Sequence, residues 1–485
     1  IVHPAGEVYR MEPIEFEVTL TDEVFVARAG LPLAGQLLSR TQLHERLDGL
    51  KVAGAANPTI GHGDVAMSMT GLLCLGRPDF AAIEAEEPMA LLPLSLGLKG
   101  LPSEETLRQR LDHVGMSCLN EAMTIVQDES AALVGAWAGP LKACWEHGRG
   151  DRLRRWVALD IDVAPFDNGN TKKQGVSRTY KGVDGYAPIF AYLGEAGYLV
   201  NVALREGSQH SQKDAVGFIA RSLDLARSIV GATETDATLL LRVDAGHDDL
   251  ANLELCRKRS GVDAIIKRNL RGESHDDWLE IAQAHGRCEQ PREGKTIWRG
   301  DHWVQRDGRS YRVVFEVTER TSDAAGQALL RGDVQVDTWW TTLPPTKVPA
   351  EAVIELYHQH GTSEQFHSEL KSDLDLERLP SGKFNTNALV LGLGMVAYNA
   401  LRLIGQSVLE IDSTLPPDDQ PPIKRVAGEG GRPRMKRRRL RRVIQDLMYQ
   451  AVKLVRTGRR WCLRLSRCNP WSAVCRALYL RLVPQ

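Results

Sequence analysis

Between residues 155 and 267 the sequence alternates short apolar runs with helical patterns, and two of those runs end on an aspartate. No other stretch constrains the fold as much. Trp156–Asp162 alternates, with Val157, Leu159 and Ile161 on one side and Ala158, Asp160 and Asp162 on the other. Ala187–Leu193 and Tyr198–Leu204 are the next strand candidates. Ser211–Val230 carries Val216, Ile219, Leu223 and Ala226 at helical spacing. Leu239–Val243 reads as a buried strand ending at Asp244, Asp248–Lys258 as a helix and Val262–Lys267 as a second buried strand. Three strands followed by alternating helices and strands predict an α/β core with both faces covered.

The flanks differ. Residues 1–150 read as mainly helical. Ser103 is placed to cap a helix whose first turn holds Glu104 and Glu105. Leu107, Leu111 and Val114 follow at helical spacing, with Arg108 and Arg110 turned outward. That face suits DNA reading and equally suits plain solvation. Residues 270–347 interrupt the core. His302–Arg306 and Ser310–Glu316 flank Asp307-Gly308, a hairpin turn, and Gly332-Asp333 precedes Val334–Trp340. A mainly β insertion rich in tryptophan is expected there. Long helices are expected over about Pro349 to Leu374 and Asn385 to Ile404. Pro- and Gly-rich stretches at 415–422 and 428–433 mark a linker to a basic end.

At 485 residues the chain should hold roughly three domains. Its 43% hydrophobic and 25% charged residues exclude a disordered or collagen-like chain. The longest mainly apolar runs, Ala388–Tyr398 and Met89–Leu98, fall short of the roughly 18–20 residues that span a bilayer. No signal-peptide pattern opens the sequence, which begins at Ile1. A cytoplasmic protein with no membrane partner is expected. Net charge is −1, but residues 421–485 carry 18 Lys and Arg against 2 acids, which leaves the first 420 residues at −17. A basic end on an acidic body suggests a polyanionic partner. The eight cysteines are scattered without a C-x-x-C, so reduced thiols are expected rather than zinc ligands or disulfides.

Two motifs mislead. Gly392-Leu-Gly394-Met-Val-Ala397 fits a dinucleotide fingerprint but lies inside an apolar helical run, where small-residue packing is the better reading. Glu355-x-x-His358 and Glu364-x-x-His367 resemble a di-iron pair. Nine residues apart on one helix, they point roughly 180° from each other and cannot share a site.

Asp162, Asp244 and Glu364 stand out by position: two end strands, and the third lies on the helix after the insertion. Each alone reads as a solvated or capping acid. Together they form a hard-oxygen donor set for divalent metals. Two ions about 3.5–4 Å apart would serve phosphodiester chemistry. On the same predicted helix, Tyr357, His360, Glu364 and Lys371 fall within roughly 60° of one another. The stripe suits DNA phosphates or an ordinary polar face.

These residues resemble those of DDE transposases of bacterial insertion sequences, most closely the insertion-sequence family numbered thirteen-eighty. The resemblance runs from about residue 15 to 465. It rests on Leu159-Asp-Ile-Asp162, Thr179-Tyr-Lys-Gly-Val-Asp-Gly-Tyr186, Leu204-Arg-Glu-Gly207, Leu241-Arg-Val-Asp-Ala-Gly246 and Tyr357 to Lys371. Glu377-Arg-Leu-Pro-Ser-Gly-Lys-Phe384 and Ala397-Tyr-Asn399 extend it. Three of the four positions of the family's Tyr-x2-Arg-x3-Glu-x6-Lys signature match. The resemblance implies an RNase H-like core split between residues 151–269 and 348–412. A β insertion domain would occupy 270–347, a helical DNA-binding domain 1–150, and a linker with a basic helical tail 413–485. It implies that Asp162, Asp244 and Glu364 bind two Mg²⁺ ions, with Mn²⁺ as a substitute, and that Tyr357 and Lys371 hold phosphates. Cut-and-paste transposition would follow, on double-stranded element ends and target DNA, by a homodimer at the bacterial nucleoid. Related enzymes pass through a hairpin and flip a base onto an aromatic. Trp298, Trp303, Trp339 and Trp340 are candidates, and each also suits the core of the insertion.

There are departures. His360 replaces the signature Arg, and Ala164 stands where a Thr is usual. Asp160 shares a face with Asp162 and is the rival first ligand. Arg432, Arg434 and the run Lys436–Arg442, with Arg437, Arg438 and Arg439 at its centre, suit a non-specific phosphate contact. Gly431-Arg432-Pro433 resembles a minor-groove hook. Two alternatives remain open at this level: a decayed or domesticated copy that binds DNA without cutting, and a two-metal nuclease without strand transfer.

Overall fold

The computed structural model describes residues 17–53, 59–85, 91–323, 327–411, 414–416, 420 and 437–483. Strand β1 (Val24–Val26) precedes a group of helices ending at Trp137. Helix Glu104–Ser117 starts as its sequence directs, with the Ser103 hydroxyl accepting from the Thr106 amide at 3.3 Å. Leu107, Leu111 and Val114 are buried, and Arg108 is exposed.

Helices His62–Cys74, Glu104–Ser117 and Leu119–Trp137 pack around the long helix Phe384–Ile411. That helix is longer than its most apolar run suggested. By length and composition it could cross a membrane, yet its most apolar window is buried entirely within protein. A Cβ on Gly392 would meet Met123 Sδ at 2.7 Å, and one on Gly394 would meet Leu376 Cδ1 at 2.6 Å. These glycines admit neighbouring side chains and form no phosphate turn.

The central sheet contains β2 (Arg154–Val163), β3 (Ile189–Leu193), β4 (Tyr198–Ala203), β5 (Thr238–Val243) and β6 (Val262–Lys267). Their order is β6-β5-β2-β3-β4. β5 runs parallel to both β2 and β6, while β2, β3 and β4 form an antiparallel meander. Alternation sets the layers. Leu159, Ile161, Leu241 and Val243 enter the main core, whereas Trp156, Leu240 and Ile265 pack on the other face against helix Ala350–His358.

Residues 270–347 form strands as expected, but no separate sheet. β7 (Arg287–Arg292), β8 (Lys295–Arg306), β9 (Arg309–Ser322) and β10 (Ala328–Thr341) are joined in antiparallel pairs, and β10 pairs with β6 through Ile265 and Thr341. The insertion thus continues the central sheet and satisfies an edge that would otherwise be open. Asp307 (φ 48°) and Gly308 (φ 71°) are both left-handed, as a tight hairpin turn demands.

Two expectations need correction. Residues 349–374 are not one regular helix: α-helix Ala350–His358 passes through a 3-10 turn (Gln359–Thr362), α-helix Ser363–Ser368 and a π-turn (Glu369–Asp373). Winding changes at each junction, so angles reckoned from a uniform α-helix drift. Nor are residues from 437 onward a helical tail. Helix Leu440–Val443 leads to the hairpin β11 (Val452–Thr457) and β12 (Arg460–Leu465), then to helix Ser472–Leu482. β11 pairs with β1, joining the two ends of the chain in a three-stranded sheet. Val452, Leu454, Leu463 and Leu465 alternate with polar residues, so the hairpin has an apolar face to bury against Val26 and Leu91.

Candidate active site

Parallel pairing of β2 and β5 aligns Ile161 with Val243, so the next residues, Asp162 and Asp244, emerge side by side. Helix Ser363–Ser368 supplies Glu364. All three carboxylates line one cavity of about 530 Å³, together with Tyr180, Lys181, His360, Ser363, His367 and Lys371.

The two aspartates are anchored. Asp162 Oδ1 accepts from the Val163 amide at 2.7 Å, and the Ser363 hydroxyl stands 3.5 Å from Oδ2. Asp244 Oδ1 accepts from the Gly246 amide at 3.1 Å and lies 2.9 Å from His247 Nδ1. Burial, with the Asp244 charge adding, pushes the Asp162 carboxyl up to about 6. Burial also pushes Asp244 up, but the His247 hydrogen bond and charge outweigh it and hold that carboxyl below its ordinary value. Two adjacent acids are thereby driven apart. Glu364 is exposed and makes no hydrogen bond or ion pair among the described residues. It also borders a second cavity of about 550 Å³ beside Arg437 and Arg439. Among the described residues, no group of three His, Cys, Asp or Glu side chains is close enough to hold a metal ion. The triad shares a cavity without meeting at a point, because two of its members are tied down and the third is not.

The structure separates Asp160 from Asp162. Asp160 is buried and forms a two-pronged bridge to Arg242, 2.6 Å from Nε and 2.7 Å from Nη2. His360 Nδ1 approaches the same carboxylate at 3.1 Å. Burial would raise the Asp160 carboxyl, but Arg242 and His360 hold it below the usual range. Burial would lower His360, but Asp160 outweighs it, and the imidazole is raised. Asp160 is therefore committed to internal neutralisation, and Asp162 is the acid facing the cavity. His360 borders the cavity but has one ring nitrogen already engaged, so it does not offer the open fork of the signature Arg.

The expected stripe is only partly assembled. His360, Glu364 and Lys371 line the cavity, and Tyr357 does not. Its half-buried ring packs 5.7 Å from Trp339 and 5.8 Å from His360. Burial, then the charges of Asp244 and Asp162, raise its phenol well above the ordinary value. The Lys371 amine donates to the Pro165 carbonyl and lies 3.3 Å from Glu377. Of the four tryptophans, Trp298, Trp339 and Trp340 are buried, and Trp303 is 51% exposed. The Trp340 indole donates to Asp248 at 2.9 Å.

The arginine run also needs correction. Arg432 and Arg434 lie outside the described residues. Arg437 donates to Gln365 and lies 4.6 Å from the Phe366 ring. Arg438 is buried, paired with Asp446 and stacked 4.2 Å from Trp471. Arg439 bridges Asp373 at 2.9 and 3.0 Å. Within the run, acids of this chain thus neutralise Arg438 and Arg439, while Arg437 is held by the Gln365 amide and the Phe366 ring.

Sequence reasoning missed Arg242, His247 and His367. Arg242 sits within the buried strand Leu239–Val243, and a charged residue at a buried strand position was itself the signal. His247 is wholly buried against Asp244. His367, set aside with the di-iron pattern, stands 3.8 Å from Asp162. Burial, aided by Lys371, drives its imidazole down to about 3, so it is neutral at ordinary pH.

A cavity lined by three acids at the ends of adjacent parallel strands and a nearby helix offers hard oxygen donors of the kind that divalent cations take. The model of the transposase DDE domain, group 1, matches residues 127–414, and the chain belongs to that family. No curated protein matches the sequence. Among solved structures it is similar to a piggyBac transposase in a synaptic complex with hairpin DNA. Identity is 8%, with 87% of this chain and 79% of that chain covered and a TM-score of 0.38. At that distance the likeness decides neither substrate nor mechanism.

Proposed function

We propose that this transposase cuts DNA at the ends of an insertion sequence and joins them to target DNA by metal-assisted phosphodiester chemistry. Asp162, Asp244 and Glu364 would hold the metal. The observation that carries this reading is the shared cavity of these three acids, drawn from two parallel strands and a helix far along the chain. The strand order, a three-stranded meander flanked by two parallel strands, supports an RNase H-like core.

The donor set fits divalent cations. It offers hard carboxylate oxygens, and a cation would relieve both the burial of the Asp162 charge and the lesser repulsion from Asp244 that together raise that carboxyl. Bound there, such ions activate the attacking oxygen and stabilise the leaving one. The protein's own part is positioning. The Val163 and Gly246 amides orient the two aspartates, and neutral His367 borders Asp162 without competing as a cation. Lys181 and Lys371 line the same cavity, where phosphates would lie.

The test uses a duplex carrying the element's own ends. Mg²⁺-dependent nicks exposing a 3′ hydroxyl, abolished by chelation, are expected, followed by joining to a second duplex. Intact duplex after incubation with Mg²⁺ or Mn²⁺ would overturn the reading. Nicking without joining would reduce it to a nuclease.

A further inference from the structure

The hairpin β11–β12 carries Lys453, Arg456, Arg459, Arg460 and Arg464, and Arg467 follows it. All but Lys453 are exposed. Lys453 pairs with Glu23, whereas Arg459, Arg460, Arg464 and Arg467 have no carboxylate partner among the described residues. Folding does not account for them, because the buried face of the hairpin is made of Val452, Leu454, Leu463 and Leu465. The register makes matters worse: Lys453 stands directly opposite Arg464. Like charges facing across a hairpin destabilise it. At the tip, on the face that carries Leu454 and Leu463, the Arg456 guanidinium lies 5.5 Å from the half-exposed Trp461 ring.

We propose that this hairpin is a docking surface for double-stranded DNA, contacting the phosphate backbone. The inference rests on the transposase reading above and names a surface for the DNA that reading requires. A polyanion supplies counter-charges to the arginines that have none among the described residues. Same-face residues of a strand recur every ~7 Å, and a duplex presents a phosphate charge every ~1.7 Å of axis, so each cation has one in reach. A two-stranded ribbon also fits a major groove about 12 Å wide. In the run at 437–441, by contrast, Arg438, Arg439 and Arg441 are already paired with acids of this chain.

The experiment measures binding of a labelled duplex of unrelated sequence across a salt series, with divalent cations removed so that no cutting occurs. The full-length chain is compared with a combined Arg459→Gln, Arg460→Gln, Arg464→Gln variant. All three side chains are exposed, and retained near-ultraviolet circular dichroism confirms the fold. The slope of log affinity against log salt should become shallower by about 2 to 3, at ~0.9 per lost phosphate contact. Lysine at the same three positions should restore it. An unchanged slope overturns the proposal, and so does a fall seen with single-stranded DNA but not with duplex. A protein that cuts no DNA yet shows the slope change keeps the hairpin surface and loses the catalytic reading. One that cuts and shows no change loses the hairpin surface alone.

Discussion

The arginine run at 437–441 and the hairpin at 452–465 are both strongly cationic, yet their charges end in different places. In the run, Arg438 meets Asp446, and Arg439 and Arg441 meet the buried carboxylate of Asp373. The Arg438 carbonyl accepts from Arg402, whose guanidinium also bridges Glu369. Glu369 and Asp373 lie on the π-turn that follows Glu364. The run therefore braces the segment that carries a candidate metal ligand, while the hairpin's arginines stay open. Asp160 and Asp162 repeat the contrast two residues apart on one strand: the first is neutralised inside, and the second faces a cavity. Charge density in a sequence says nothing about whether the charge is already spent on an internal partner.

The largest effect should come from the open acid. Asp162→Asn should abolish cleavage of end DNA while leaving duplex binding in place. A carboxyl raised to about 6 by burial destabilises the fold once ionised. The variant should therefore be at least as stable as the wild type at pH 7, with its advantage growing as pH rises from about 4 to 7. Urea unfolding at several pH values checks this. Cleavage surviving in the variant would remove Asp162 from the site.

Asp160→Ala should show the opposite balance. It leaves Arg242 buried and unpaired, at a cost of about 3–5 kcal/mol in unfolding free energy. A variant of normal stability without cleavage would reverse the roles assigned to the two aspartates.

Next comes the brace. Asp373→Asn should cost about 1–3 kcal/mol, because a buried acceptor of arginine hydrogen bonds is weakened. Cleavage should slow, while the salt slope of duplex binding stays at the wild-type value. A changed slope would mean that the run also contacts DNA and would erase the contrast with the hairpin.

The smallest effect concerns His360. Its folded value is raised, so the protonated ring stabilises the fold. That contribution is complete below about pH 6.5 and fades as pH rises through the folded value. His360→Gln should be less stable than the wild type by on the order of 1 kcal/mol near pH 5.5, with the gap narrowing toward pH 8.5. A gap independent of pH would mean that folding leaves the ring's hold on its proton unchanged, and a gap that closes as pH falls would mean that the ring is neutral in the folded protein.

Much of the central sheet was legible because its signals are local. Alternation in Trp156–Asp162, the apolar spacing of Ile219, Leu223 and Ala226, and the Asp307-Gly308 turn each record a backbone preference within a few residues, although the helix starts at Ala215 rather than Ser211 and leaves Val216 exposed. Strand ends and the family resemblance singled out Asp162, Asp244 and Glu364 together, and the fold brings all three to one cavity. The break-up of residues 349–374 was not legible, since 3-10 and π-turns there serve packing against β2 and the arginine run. Nor was Arg242, whose role depends on Asp160 on the neighbouring strand.

The α/β character, the strands of the core, and the caps and turns are written in the order of the amino acids. These follow from periodicity and local backbone preference, which act along the chain. Which charges are paired internally and which stay open was settled by how the elements pack. That packing joined the insertion to the central sheet, turned the supposed tail into a sheet with β1, and buried Arg438 while leaving Arg459 and Arg460 in solvent. Ion pairing and burial depend on distances between residues remote in sequence, and no local pattern encodes them.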